Sequence, residues 1–235
     1  MTVPATLDLA QLLALAGVLG WASGVRLYLV VLLTGLAGFL GWVTLPPGLH
    51  LLAHPMVLGV SGFLVFVEFF ADKIPGLDSL WDMVHTLIRI PAGAALAASV
   101  FSADSGVMAL VAALLGGTLA ATSHAAKATA RAAINTSPEP FSNIGASLLE
   151  DGMVPAGLWL AWMHPLVFLV LLALVLAVSV WLIRTCWRFL RALFTRIARI
   201  FSGRPDPGVT PAFPFKKPAL QEAPHVQEDP DRQPR

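Results

Sequence analysis

Long apolar runs separated by short polar breaks dominate the chain, and several have the length of a membrane-crossing helix, roughly 20 residues. The region 8–44 is too long for one helix and carries Ser23, Gly24 and Arg26 near its middle. Two spans are therefore expected there, 8–22 and 27–44, joined by a tight break at Ala22-Ser23-Gly24. Pro46-Pro47-Gly48 closes the second. A third span is expected from His54-Pro55, where the proline suits a first helical turn, to Phe70. After Ile74-Pro75-Gly76 a fourth runs from Asp78 to Phe101. A turn at 102–106 leads to a fifth, 107–133, rich in the Ala and Gly that let membrane helices approach closely. INTSPEPFSN (134–143) reads as a polar loop. The last apolar region, 152–183, contains Pro155 and His164-Pro165, and both one long kinked span and two half-helices fit its pattern.

Beyond it, WLIRTCWRFLRALFTRIARIF (181–201) spaces arginines among Trp, Leu, Ile and Phe at helical intervals. That pattern suits an amphipathic helix lying on an anionic leaflet. Residues 202–235 hold eight prolines and balanced charge, the composition of a disordered tail. The expected fold is all-α: a polytopic transmembrane bundle of about six spans with one or two broken helices, then an interfacial helix. Three regions follow: a transmembrane domain at 1–183, an arginine-rich helix at 184–201 and a tail at 202–235. Ile90-Pro91-Ala92-Gly93 recurs as Val154-Pro155-Ala156-Gly157, a partial repeat too short to establish duplication.

Composition agrees with the membrane class. The chain is 57% hydrophobic and 12% charged, with a mean hydropathy of +0.75, whereas a soluble domain is about a quarter charged. An outer-membrane barrel would alternate apolar and polar residues, and LVFLVLLALVLAVSVWL (166–182) does not. Cys186 is the single cysteine, which excludes an intrachain disulfide and a thiolate metal cage. The first eleven residues lack a basic n-region, so the first apolar run is expected to be retained as a span.

The net charge of +1 conceals an asymmetry. Residues 1–183 carry five Lys/Arg against nine Asp/Glu, while 184–204 carry six arginines and no acid. By the positive-inside rule the arginine segment is cytoplasmic. Six spans then place both termini in the cytoplasm of a bacterial inner membrane. Arg26, Glu68, Asp72, Lys73, Asp78, Asp82, His85, Arg89, His124, Lys127, Arg131, Asn143, Glu150 and Asp151 fall toward the opposite face. Asp78, Asp82, His85 and Arg89 are spaced 4, 3, 4, and His124, Lys127 and Arg131 are spaced 3, 4, so each set shares a helical stripe. The two stripes belong to consecutive spans joined by a short turn and should face each other across antiparallel neighbours.

Two readings of these charges follow. They line a polar cavity that takes an ion, a proton or a polar solute, since ionisable groups in a membrane are costly and often functional. Alternatively they cap and lock helices by pairing. No HExxH, G-x-S-x-G, Walker A or dinucleotide-binding motif occurs, so no enzyme, catalytic residue, metal or cofactor is expected. The expected partners are the bilayer, anionic headgroups at Arg184, Arg188, Arg191, Arg196 and Arg199, a small ion or polar solute, and a second copy of the chain; nucleic acid is not among them.

ASGVR (22–26), ExxxDKIPGLDSLWDxxxTxIRxPAG (68–93), HAAKATARAAINTSPEPFSN (124–143) and SLLEDG (147–152) occur in this order. Together they resemble a bacterial membrane-protein family called domain of unknown function 4126, over about residues 8–183. The resemblance implies that Glu68, Asp72, Lys73, Asp78, Asp82, Arg89, Lys127, Arg131, Asn143, Glu150 and Asp151 belong to the family pattern, and it implies no activity. The expected function is that of a small transporter or channel component with a charged cavity. The alternative is a non-catalytic scaffold whose intramembrane ion pairs lock its helices and whose C-terminal region recruits lipid or a partner.

Overall fold

The computed structural model describes residues 7–74, 77–101, 105–134 and 140–202. Within them the chain is helical: α1 (Leu9–Phe39), a short 3-10 helix (Pro47–Ala53), α2 (Pro55–Ala71), α3 (Leu77–Phe101), α4 (Gly106–Ile134), α5 (Pro140–Met163) and α6 (Pro165–Ser202). The tail expected at 202–235 lies, past Ser202, outside the described residues, as do the side chains of Asp78, Arg196 and Arg199.

A capping box starts α1. The Asp8 carboxylate accepts from the Gln11 N–H at 2.7 Å, and the Gln11 side chain accepts from the Asp8 N–H at 3.0 Å. The helix is interrupted at Arg26, whose φ of −146° and ψ of 78° are non-helical. The break thus falls at the end of the expected Ala22–Arg26 motif, at its charged residue rather than at Ser23-Gly24. The two halves of α1 pack on different partners. Before the break, Gly20 lies so close to α4 that a Cβ would stand 2.7 Å from the Gly116 Cα, and Gly24 meets Ala120 and Ser123. After it, Gly35 meets Leu52 and Leu58, and Gly38 meets Leu45. Gly41, at φ 69°, ends the segment in the left-handed region that glycine tolerates.

His54 caps α2, its Nδ1 accepting from the Met56 N–H at 3.2 Å, with Pro55 in the first turn. The 3-10 helix and α2 meet at 66°. Four helices among the described residues are long and apolar enough to cross a membrane, and five if this bent pair counts as one span. The expected six is not reached. The regions 8–22 and 27–44 are two helices that meet at the kink at Arg26, as the sequence predicts, with α1 counted once in that total, and 152–183 is divided at His164 into α5 and α6, with Pro155 held inside α5. Helix α5 also begins at Pro140, so the end of the expected 134–143 loop is helical. Helix α6 continues to Ser202 with no interruption at 183/184, so the described backbone sets off no separate interfacial helix.

The hinge at His164 also changes the distribution of charge. In a straight helix residues 157 and 168 would stand about 16 Å apart along the axis. Instead the Phe168 ring lies 3.8 Å from where a Gly157 Cβ would be, and Met153 and Val175 line one cavity. Helix α6 therefore folds back along α5. Glu150 and Asp151 lie in the first half of α5, so the exposed Arg184 and Arg188 of α6 return toward their face. The expected separation of the arginines from the other charges does not hold.

The bundle is inverted relative to a soluble domain. Leu87, Val107 and Val170 are 82%, 72% and 70% exposed, whereas four basic and four acidic side chains are buried. Apolar exteriors of this extent suit lipid. Small residues make the interior tight: Gly93 packs on Ala120 and Ser23, and Gly116 on Ala97.

Candidate functional site

Five helices deliver the buried charges. The interruption in α1 presents Arg26, and the last turn of α2 carries Glu68, with Asp72 as its C-cap. Helix α3 contributes Asp82 and Arg89 from its first half, and α4 contributes Lys127 and Arg131 from its last turns. Asn143, Glu150 and Asp151 come from α5.

Arg26 is a hub. Its Nη1 lies 2.7 Å from Asp72 Oδ2, its Nη2 lies 3.0 Å from Asp151 Oδ1 and 2.9 Å from Ser147 Oγ, and its Nε lies 3.7 Å from Glu150 Oε2. Arg131 forms a two-pronged pair with Glu150 at 3.1 Å for both bonds, and also donates to Asn143 Oδ1 and to the Asp72 carbonyl. Such planar bidentate pairing is what guanidinium groups do best. Arg89 bridges Glu68 and Asp82, the latter at 2.7 Å. Lys127 Nζ stands 3.4 Å from Asp72 Oδ2, 3.2 Å from Asp82 Oδ1, 3.3 Å from Glu150 Oε2 and 3.2 Å from the Val25 carbonyl.

Arg26, Arg89, Lys127 and Arg131 face Glu68, Asp72, Asp82 and Glu150, and each of the eight is less than 9% exposed. Four positive charges meet four negative ones, so the innermost set is neutral. Asp151, with a quarter of its side chain exposed, sits at the rim. Lys73 is also outside the core of the network: its Nζ donates to the Phe69 carbonyl at 3.1 Å and stands over the Phe69 ring. Burial holds its ammonium below the ordinary lysine pKa.

The two histidines play different parts. His124 Nδ1 lies 3.5 Å from Arg89 Nη1, and its Nε2 lies 2.7 Å from Thr86 Oγ1. Thr86 also donates its hydroxyl proton to the Asp82 carbonyl at 2.9 Å. His85 Nδ1 donates to the Trp81 carbonyl at 2.8 Å, and the ring stacks on Trp81 at 4.1 Å and meets Tyr28 edge-on at 5.7 Å. It packs beside the network rather than joining its ion pairs.

The opposed α3 and α4 stripes meet through Asp82 and Lys127, as their spacing predicts. Spacing could not reveal that Arg89 pairs with Asp82 of its own helix and with Glu68 of α2. Ser123 carries no signal as a lone hydroxyl in a helical stretch, yet its Oγ donates to the Trp21 carbonyl at 2.7 Å, near the α1 break; Thr86 and Ser147 fall within the quoted motifs, but nothing there ties them to His124 and Arg26. Of the C-terminal arginines with described side chains, Arg184, Arg188 and Arg191 are exposed.

The charged groups meet one another through direct ion pairs. Cavities of about 440, 200 and 480 Å³ lie among the helices, and no residue of the network lines any of the three. Among the described residues no three His, Cys, Asp or Glu side chains are arranged to hold a metal ion directly. A protein family described as Domain of unknown function (DUF4126) matches residues 13–185. No curated protein matches the chain, and no solved structure does.

Proposed function

The chain belongs to this family, whose description carries no activity, and we propose from the site itself that it is a non-catalytic, multi-pass scaffold of the bacterial inner membrane. One observation carries the reading: the four buried cations each pair with at least two carboxylates, across five helices, and the set sums to zero charge. An unpaired charge inside a bilayer is expensive. A neutral set in which every charge has an ion-pair partner instead favours one arrangement of the helices, since a shifted register would separate those partners.

We further propose an orientation. Every Lys and Arg before residue 184 (Arg26, Lys73, Arg89, Lys127 and Arg131) lies toward one face, and the fold-back of α6 brings Arg184 and Arg188 to the same face. The positive-inside rule then makes that face cytoplasmic. The C-terminus is cytoplasmic and the start of α1 is external, which replaces the arrangement with both termini inside. Arg184, Arg188 and Arg191 are placed to meet anionic headgroups, each worth about 1 kcal/mol of attraction.

The test is a charge exchange. Asp82→Lys and Lys127→Asp should each abolish accumulation of folded protein, and the double exchange should restore it in part. Singles that accumulate normally would refute the lock. A second reading, transport, is favoured by the interruption of α1 at Arg26, because helices broken beside buried charges form the ion sites of many transporters.

A further inference from the structure

The surroundings of Lys127 suit an ammonium poorly. Four oxygens stand at nearly one distance from Nζ: Asp72 Oδ2, Asp82 Oδ1, Glu150 Oε2 and the Val25 carbonyl, at 3.2–3.4 Å. An ammonium has three N–H bonds, fixed in direction by its stem. It cannot aim at all four, and every contact is longer than the roughly 2.7–2.9 Å of a charge-assisted hydrogen bond. A spherical cation has no bonds to aim. The oxygens also come from four separate places: the C-cap of α2, α3, α5 and the carbonyl at the α1 break. That carbonyl lies at the negative end of a half-helix, which favours a cation.

Two further atoms point to the same site. Asp72 Oδ1 and Asp82 Oδ2 have no hydrogen-bond partner among the described residues, although both side chains are more than nine-tenths buried. Each carboxylate therefore meets Lys127 with one oxygen and holds the other in reserve.

We propose that this cage is a binding site for a small monovalent cation of the sodium class, and that the Lys127 ammonium fills it in the state seen here. Charge selects the valence. Replacing the ammonium by a monovalent ion keeps the four-to-four balance, whereas a divalent ion adds an uncompensated positive charge. With Lys127 in place the carboxylates are spaced too widely for a metal. Its withdrawal lets them close by roughly 1 Å, to the about 2.3–2.6 Å typical of oxygen on a hard cation. The site goes beyond the lock, which needs no exchange at Lys127, and it gives the transport reading a named ion class.

The experiment compares the purified full chain, Lys127→Met and Lys127→Met/Asp82→Asn in sodium chloride and in choline chloride at equal ionic strength. In Lys127→Met the melting temperature should climb by about 3–6 °C for each tenfold rise in sodium above saturation and stay flat in choline. The double variant is again charge-balanced and should fold without responding to sodium. In the unaltered protein sodium should speed modification of Lys127 by a small amine reagent, read by mass spectrometry, and choline should not. Lys127→Met that responds equally to both salts, or fails to fold in either, overturns the cage. So does a sodium response that survives in the double variant. Sodium-independent labelling of Lys127 overturns the exchange. The lock stands or falls separately, on whether the Asp82/Lys127 charge exchange restores folding.

Discussion

Arg89 offers the most direct measurement of what the network contributes. Its guanidinium bridges Glu68 and Asp82 with no exposed surface of its own, and it is the one ion-pair partner Glu68 has among the described contacts. Asp82 keeps a second partner, Lys127, at 3.2 Å. Arg89→Met therefore leaves the buried Glu68 carboxylate without its ion-pair partner, and losing one partner of a buried pair typically costs about 3–5 kcal/mol. Glu68→Gln leaves Arg89 with Asp82 but breaks the charge balance, so its cost should be smaller, about 1–3 kcal/mol. The double variant removes one charge of each sign and leaves Arg26, Lys127 and Arg131 against Asp72, Asp82 and Glu150. Replacing a whole buried pair is often neutral, so the double should recover most of the loss.

The single losses sum to about 4–8 kcal/mol, so with a double variant within about 1 kcal/mol of the parent the expected coupling between the two sites is on the order of 3–7 kcal/mol. For a chain of this size each kcal/mol moves the melting temperature by about 2–4 °C. Arg89→Met should melt roughly 6–20 °C lower than the parent, and the double variant within a few degrees of it. Thermal unfolding of the purified protein in detergent reads all four corners of the cycle. Additive effects, with a double variant at least as unstable as Arg89→Met, would refute the reasoning: the charges would then be independently solvated and lock nothing.

Three further outcomes follow from the same geometry. Ser147→Cys, at a wholly buried position beside Arg26, should stay protected from water-soluble maleimide in intact membranes; rapid labelling would mean that water fills the network and would favour the cavity reading. Gly20→Ala should lower stability by about 1–3 kcal/mol, because its Cβ would stand 2.7 Å from the Gly116 Cα, whereas Gly59→Ala, which meets nothing, should be neutral or stabilising by up to about 1 kcal/mol. A reporter active only in the cytoplasm should work when fused after residue 202 and fail after residue 45; activity at both positions would overturn the orientation.

The helical membrane class was legible because it rests on run length and hydropathy, which are properties of single segments. The pairing of Asp82 with Lys127 was legible for a related reason, since helical spacing and a short turn between α3 and α4 leave little freedom. The remainder depends on relations between distant segments. Sequence reading placed a break near Ser23-Gly24, where flexible residues cluster, but the backbone departs from helix at Arg26, where side chains from other helices supply what a break requires. Ser123 donates to the Trp21 carbonyl and Lys127 to that of Val25. Those compensating donors lie about a hundred positions away in the chain. The split of 152–183 was likewise open, because a proline kinks one helix as readily as it starts another. Only the contact of Phe168 with Gly157 decides it.

That contact bears on function as well as on fold. With the arginines of α6 across the membrane from the network, the buried charges would form an isolated external cluster, easily read as the mouth of a pore. With α6 folded back, every described Lys and Arg lies toward one face, and half of the positive charge on that face is spent on carboxylates inside the bundle. A pore mouth of one sign would repel its own kind and draw in the other; a neutral set does neither. What distinguishes a permanent lock from an ion site is therefore no longer the presence of charge but whether one member can leave. Lys127 is the member best suited to leave. Arg26, Arg89 and Arg131 are planar guanidiniums with at least two directed bonds each, whereas the Lys127 ammonium, on a flexible stem, holds four oxygens at long range. If Lys127 never leaves, the network is a fastener. If it does, the same five helices carry a cation site in which the resident ion is covalently attached.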